Sequence, residues 1–558
     1  MADALLAEQF QIVTDPVADS VALSAIFAVL SLLTLFLLLG VFRVRAWLAG
    51  LVALAVALIV AVTVYSMPVG QALLSASEGA AFGFFPILWI VINAIWVYNL
   101  TVVSGHFDVL RRSMERVSPD MRIQAIIVAF CFGALLEALA GFGTPVAVTV
   151  VMLMALGFPP IRAASVALIA NTAPVAFGAL ATPITTLGTV ASGASGDPRL
   201  TPDTIGAMVG RQTPILAVIV PLVLVSVVDG RRGVKQTWPA AVVAGVVFAV
   251  GQFVASNYIS VPLTDIIASL AAAAAVVLLL RVWRPRESPH LAEGAVETGG
   301  VRTAVRRDAG VEVLRAYAPY LIIIVIFAIA NLGPIKRALA EEPWTVVVKW
   351  PGLDVLGANG KPLASTNFTF GWLAAAGTLM VFAGILTAMV LRVGPGAALR
   401  AYGRTYVELR HAIVTVMAVL ALAYVLNQSG QTNTLGAFLA TAGSVFVFLS
   451  SILGWIGVAV TGSDTSSNAL FGALQVQTAG KAGLDPLLLA AANSSGGVLG
   501  KMVSPQNLAI AAAAVGMAGR EGDIFRKVVL WSGILLFFMC VLVTLQGTPV
   551  LDWMIPAG

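Results

Sequence analysis

EALAGFGTP at residues 137–145 and TGSDTSSN at residues 461–468 each interrupt a long apolar run with glycine, hydroxyl side chains and one acid. A helix crossing lipid satisfies its own amides, so a break at membrane depth leaves polar backbone that only protein or a water-filled cavity can satisfy. The two breaks share a frame. Gly141 and Gly462 lie 321 residues apart, while Asn171 and Asn493, like Pro183 and Pro505, lie 322 apart. Matching interruptions in two halves of a hydrophobic chain imply two structural repeats around one site, as in secondary transporters.

Composition sets the class. Hydrophobic residues make up 59% of 558 and charged residues 11%, against about 25% charged in a soluble domain, and the mean hydropathy is +0.96. The apolar runs match the roughly 20 residues that cross a bilayer as helix, which argues against a membrane β-barrel. Only two cysteines, Cys131 and Cys540, and three scattered histidines are present. Disulfide frameworks, metal clusters and Cys/His nucleophiles have no support. The net charge of +5 resides in short loops that face lipid head groups, so nucleic acid is not a partner.

Hydropathy places twelve crossings, near 21–41, 46–66, 81–104, 161–181, 206–228, 238–256, 262–281, 316–332, 369–391, 411–427, 485–516 and 528–547. Two further stretches, 123–157 and 434–478, are broken at GFGTP and GSDTS and read as re-entrant hairpins whose second arms are short for full spans. The expected fold is all-α and polytopic, with both termini outside. Residues 1–283 form a first half with broken helix 161–181, residues 284–314 a cytoplasmic linker, and residues 315–558 a second half with broken helix 485–516. In this topology the cytoplasmic loops hold 23 of the 32 basic residues, and the amino-terminal tail carries none. That distribution obeys the positive-inside rule. The tail also lacks a basic n-region, so the first apolar run reads as a retained span. Seven crossings separate the hairpins. An odd number makes the repeats inverted, so two halves can exchange conformations about a shared midplane site.

Polar chemistry concentrates in four stretches. The first hairpin offers Glu137, Gly141, Gly143 and Thr144; the helix after it offers Asn171 and Thr172. The second hairpin offers Ser463, Asp464, Thr465, Ser466, Ser467 and Asn468; the next helix offers Asn493, Ser494, Ser495, Lys501, Ser504 and Gln506. Hydroxyls and carboxamides are neutral ligands, and a half-helix amino terminus suits a carboxylate. Small residues also serve plain helix packing, and Ser or Thr often bonds back to its own helix; that bland reading suits Thr149 and Ser165 better than Ser466 and Asn493. Glu137, Asp464 and Lys501 are the charges this topology places deepest. A charge at the bilayer centre costs about 2.5–3.5 kcal/mol on insertion scales, so it persists for a partner or a task. At the repeat offset they map to Val458, Gly143 and Ala179. None has a charged twin, which points to substrate or proton, the structural alternative being a Lys501–Asp464 pair that locks the second hairpin.

EALAGFGTPVAV, GFPPIRAASVALIANTAPVAFGA, LGWIGVAVTGSDTSSNALFGALQ and AANSSGGVLGKMVSPQN resemble the bacterial L-lactate permease family, in that family's order and over nearly the whole chain. The resemblance implies proton-coupled uptake of L-lactate, D-lactate or glycolate across the inner membrane. It also places the chain near transporters with paired hairpins and an elevator-like movement. A homodimer is compatible with it, no cofactor or metal is implied, and the Arg-rich insert after residue 284 departs from the pattern.

A channel would need a repeated pore lining, and an intramembrane enzyme a nucleophile with a base; neither is evident. The serious rival is a sodium-coupled dicarboxylate transporter of the same architecture. An inward-moving monocarboxylate opposes a negative interior by about 2.3 kcal/mol per 100 mV, which one co-transported proton cancels. A carboxylate must carry that proton, and Asp464 is favoured over Glu137 by its place at the hairpin tip.

Overall fold

The computed structural model describes residues 9–115, 117–141, 143–285, 309–330, 332–518 and 520–557. Most of the expected 284–314 linker lies outside the described residues. Among those described, eleven helices are long and apolar enough to cross a membrane. Strand is confined to two small sheets: β1 (Phe10–Gln11) pairs in parallel with β3 (Val355–Leu356), and β2 (Val346–Lys349) pairs antiparallel with β4 (Asn367–Phe370).

Several boundaries differ from those that hydropathy suggests, each for a physical reason. The crossing expected at 81–104 begins at Val69, because Gln71, Ser75 and Glu78 lower the local hydropathy yet are buried in protein. The helix expected at 411–427 spans Pro395–Gln428; its first half carries Arg400, Arg404 and Arg410 and so escapes a hydropathy scan. Residues 369–370 belong to β4, and the helix there starts at Ala376. The crossings expected at 206–228 and 238–256 are two arms joined at a turn, where Gly230 has φ 58°. Gly245 lies against the backbone of Val218, a contact that one straight helix could not make.

Both polar interruptions turn the chain back on itself. Gly133–Ala140 and Thr144–Ala155 flank a turn in which Gly143 takes a left-handed conformation, φ 85°. The two arms meet where Gly133 faces Thr149. Phe446–Thr461 and Asp464–Ala482 flank a turn with Gly462 at φ 77°, and the Ser467 hydroxyl donates to the Gly454 carbonyl across it. Only glycine adopts such torsions without steric cost. The second arm here has 19 residues, longer than the short arm expected, and Gln431–Ala440 is a separate helix.

The helix following each turn is broken. Pro160–Ala170 stops at Asn171 and the chain resumes as helix through Ala194, beyond the expected 181. Between them Ala179, Leu180 and Ala181 have φ of 44°, 55° and 58°. Each such L-residue costs about 1–2 kcal/mol, so surrounding packing must hold them. Pro486–Gly500 passes through Lys501–Val503 to an extended Ser504, φ −68° and ψ 137°, and resumes as Pro505–Ala514.

Two large hydrophobic cores result, beside a small one around Trp96, Leu100 and Ala401. The first gathers the first hairpin, the first arm of the second and most of both broken helices, including Phe130, Phe177, Phe248 and Phe446. The second gathers the amino-terminal helices and Pro395–Gln428, including Leu32, Phe82, Leu420 and Leu426, and the second arm of the second hairpin packs into it through Leu470, Phe471 and Leu474.

Candidate functional site

A cavity of about 1370 Å³ lies between these two bodies. Leu39, Arg43, Arg45, Trp47, Ile95 and residues 408–412 line it from one side; Glu137, Gly141, Thr144, Gly178, Pro183, residues 461–466, Lys501 and Gln506 line it from the other. Arg43, Arg45, Arg410 and His411 are at its exposed end, where the His411 ring stacks on Trp47 with centroids 6.0 Å apart.

Its inner end holds a buried ion pair. Lys501 Nζ donates to Glu137 Oε1 at 2.6 Å, with 7% and 4% of the two side chains exposed. Asn171 Nδ2 donates to the other carboxylate oxygen at 2.9 Å. Lys501 thus meets Glu137, not the Asp464 that the locking alternative required. Gly178 makes room: a Cβ there would lie 2.9 Å from Glu137 Oε1.

Asp464 sits at the first turn of its helix with a different shell. Its Oδ2 accepts from the Ser494 hydroxyl at 2.6 Å and from Asn468 Nδ2 at 3.2 Å. Its Oδ1 is buried without a hydrogen bond, against Gly497, where a Cβ would lie 2.5 Å away. Asn493 Nδ2 donates to Asn468 Oδ1 and itself accepts from Gln475, which bonds to Ser450. This chain of amides fixes the second hairpin on the second broken helix. Asn468 also donates to the Pro183 carbonyl, and Asn507 to the Gly462 carbonyl. Hairpins and broken helices therefore interlock.

Nine of the residues singled out in the sequence line the cavity: Glu137, Gly141, Thr144, Ser463, Asp464, Thr465, Ser466, Lys501 and Gln506. Asn171, Asn468, Asn493 and Ser494 stand behind the two acids. Thr172 donates to its own helix at Ile169, Ser467 to the partner arm, and Ser495 to Gln212. Gly143 packs on Ile510, and Ser504 caps its helix by accepting from the Asn507 amide. Thr149 and Ser165 bond back to Pro145 and Ile161. The deepest-charge trio was incomplete. Glu78 and Asp265, which the sequence reading did not single out, are each only 1% exposed, and their signal was a Gln elsewhere in an apolar segment, Gln428 and Gln252, that each pairs with. Among the described residues no group of three or more His, Cys, Asp or Glu is placed to hold a metal ion.

Interlocked broken helices around a buried ion pair, beside a cavity between two bodies, define a multi-pass helical membrane transport protein. The chain matches the L-lactate permease family model over residues 24–550, and it belongs to that family. It is 43% identical to the L-lactate permease of Escherichia coli K12, covering 97% of this chain and 98% of that one. It is 40% identical to the L-lactate permease of Bacillus subtilis 168, covering 97% and 99%. Identity to the glycolate permease GlcA of Escherichia coli K12 is 41%, covering 94% and 96%. The fold is also similar to that of MtrF of Neisseria gonorrhoeae, with a TM-score of 0.53 at 12% identity, covering 92% of this chain and 97% of that one. The protein is a multi-pass protein of the bacterial inner membrane.

Proposed function

We propose that this protein takes up L-lactate and related 2-hydroxymonocarboxylates, D-lactate and glycolate, with protons, by elevator-like alternating access. The observation that carries the reading is the Lys501–Glu137 pair at the inner end of the cavity. Lys501 is the only cation among the lining residues that come from the hairpins and broken helices. One ammonium matches one substrate carboxylate, which favours a monocarboxylate over a dicarboxylate.

The pair also supplies a coupling rule. While Glu137 is ionised it occupies Lys501, and an incoming anion would leave the desolvated site with excess negative charge. A proton on Glu137 releases the ammonium to the substrate carboxylate, and the proton and anion together cross with no net charge. This assigns the coupling proton to Glu137 in preference to Asp464, whose Oδ2 is held by Ser494 and Asn468. The Ser463, Thr465 and Ser466 hydroxyls and Gln506 line the same cavity and are the groups offered to the 2-hydroxyl. Movement of the body that carries both hairpins past the other body would expose the pair to the opposite side. The exposed end, with Arg43 and Arg45 in a loop and Arg410 in the charged half of Pro395–Gln428, is the side that the positive-inside rule assigns to the cytoplasm, so this conformation is read as inward-facing.

The test is counterflow in proteoliposomes holding the purified protein. Unlabelled L-lactate and glycolate inside should drive uptake of labelled lactate, and succinate should not. An imposed pH gradient without sodium should drive accumulation. Sodium-dependent accumulation with no response to pH would overturn the coupling, and exchange by Lys501→Ala at the wild-type rate would remove Lys501 from the site.

A further inference from the structure

We propose that Asp265 is held as a neutral, protonated acid that closes a two-hydrogen-bond ring with Gln252 and so positions the broken helix from which Asn171 holds Glu137. Asp265 and Gln252 are 1% and 0% exposed. Gln252 Nε2 donates to Asp265 Oδ1 at 2.8 Å and to the Ala173 carbonyl at 3.0 Å. Both acceptors are oxygens, so the amide orientation is fixed by its partners. The remaining oxygens, Asp265 Oδ2 and Gln252 Oε1, are both buried without a hydrogen bond. Two lone-pair atoms cannot satisfy one another, but one proton on Oδ2 turns it into a donor to Oε1. The acid and the amide then pair through two parallel hydrogen bonds.

Charge leads to the same assignment. Asp265 has no Lys, Arg or His partner among the described residues, and burying an unpaired carboxylate is strongly unfavourable. The charged group that acts on it is Glu137, on the first hairpin, and Lys501 is already engaged there. Although Asp265 lies in the first turn of Thr264–Val282, Oδ2 accepts from none of that helix's amides. The pattern recurs in the second core. Gln428 Nε2 donates to Glu78 Oε2 at 2.8 Å, and Glu78 Oε1 and Gln428 Oε1 are both buried without a hydrogen bond.

The consequence runs through the backbone. The stop at Ala170 frees carbonyls, and Gln252 satisfies that of Ala173, two residues beyond Asn171. Losing the proton on Asp265 would set a bare anion beside that link and loosen Asn171 from Glu137. Asp265 is thus a positioning residue, acting through Gln252.

Infrared spectroscopy of the full-length protein in lipid bilayers tests the protonation. At neutral pH, Asp265→Asn should remove one carbonyl-stretch band of a protonated carboxylic acid, and Glu78→Gln another. If Asp265→Asn leaves every such band in place, the proposal is wrong. Counterflow of labelled lactate with equal pH on both sides tests the positioning. Asp265→Asn, which keeps a donor, should exchange within about twofold of wild type at neutral pH and hold that rate further into alkaline pH, while Asp265→Ala should lose at least tenfold. Equal loss in both variants, or an alkaline limb unchanged in Asp265→Asn, would overturn it. Absence of lactate counterflow in the wild type would instead count against the proposed function, and the infrared result would still stand.

Discussion

Lys501→Met leaves Glu137 buried without the ammonium that sits 2.6 Å from it. Removing one partner of a buried pair typically costs about 3–5 kcal/mol, because the other charge stays desolvated. The expected destabilisation of Lys501→Met is therefore about 3–5 kcal/mol. Lys501→Met combined with Glu137→Gln removes both charges, and Asn171 keeps an acceptor in the Gln carbonyl. Stability of the double variant should return to within about 1 kcal/mol of wild type. Reversible denaturation in mixed micelles measures wild type and both variants, with lactate counterflow as a second readout. Neither variant should transport, although the double variant folds well. A penalty for Lys501→Met under about 1 kcal/mol, or a double variant no more stable than Lys501→Met, would refute the reasoning.

Glu137→Gln should abolish accumulation driven by a pH gradient while retaining some lactate exchange; if Asp464→Asn behaves so and Glu137→Gln accumulates normally, the proton belongs to Asp464. Gly178→Ala should lose transport and cost about 1–3 kcal/mol of stability, because its Cβ would lie 2.9 Å from Glu137 Oε1; normal uptake would show that Glu137 can shift without consequence. Outside the apolar helices, Arg199 bonds Asp197 and Asp485 and holds the Asp197 carboxyl below its usual range, chiefly by hydrogen bonding. Its contribution is present above the ordinary Asp pKa and lost as pH falls through the depressed value, so Asp197→Asn should lower the melting temperature slightly at pH 7 and not at pH 2, the pair being partly exposed and worth under about 1 kcal/mol; an equal drop at both pH values would count against the ion pair. A reporter fused after Gly558 should be active in the periplasm and cysteines in the 284–314 loop should label only from the cytoplasm; external labelling would sink the topology.

How much of this molecule was legible depended on how local the signal was. Class and helix content follow from composition, and the two turns follow from Gly143 and Gly462, whose left-handed torsions a side chain would resist. Serine caps were not read: Ser463 and Ser504, offered as ligands, accept from amides three residues ahead. Hydropathy failed where polar residues are buried by protein, as at Glu78, or where a helix runs on through charged turns, as at Pro395. It treats every residue as facing one solvent.

The pairing of charges lay beyond local reading. Glu137, Asp464 and Lys501 were identifiable as costly intramembrane charges, yet proximity in the chain favours Asp464 as the partner of Lys501. Packing brings Lys501 to Glu137 across 364 positions instead, through a gap left by Gly178, while Gly497 receives Asp464. The same holds for Asp265 and Gln252, and for the cavity between the two cores. Sequence by itself determined the apolar helices, their breaks and the list of chemically capable residues, because each follows from a side chain and its near neighbours. Which acid faces which base was decided by the tertiary structure alone, since an ion pair depends on distances that only the packed helices set.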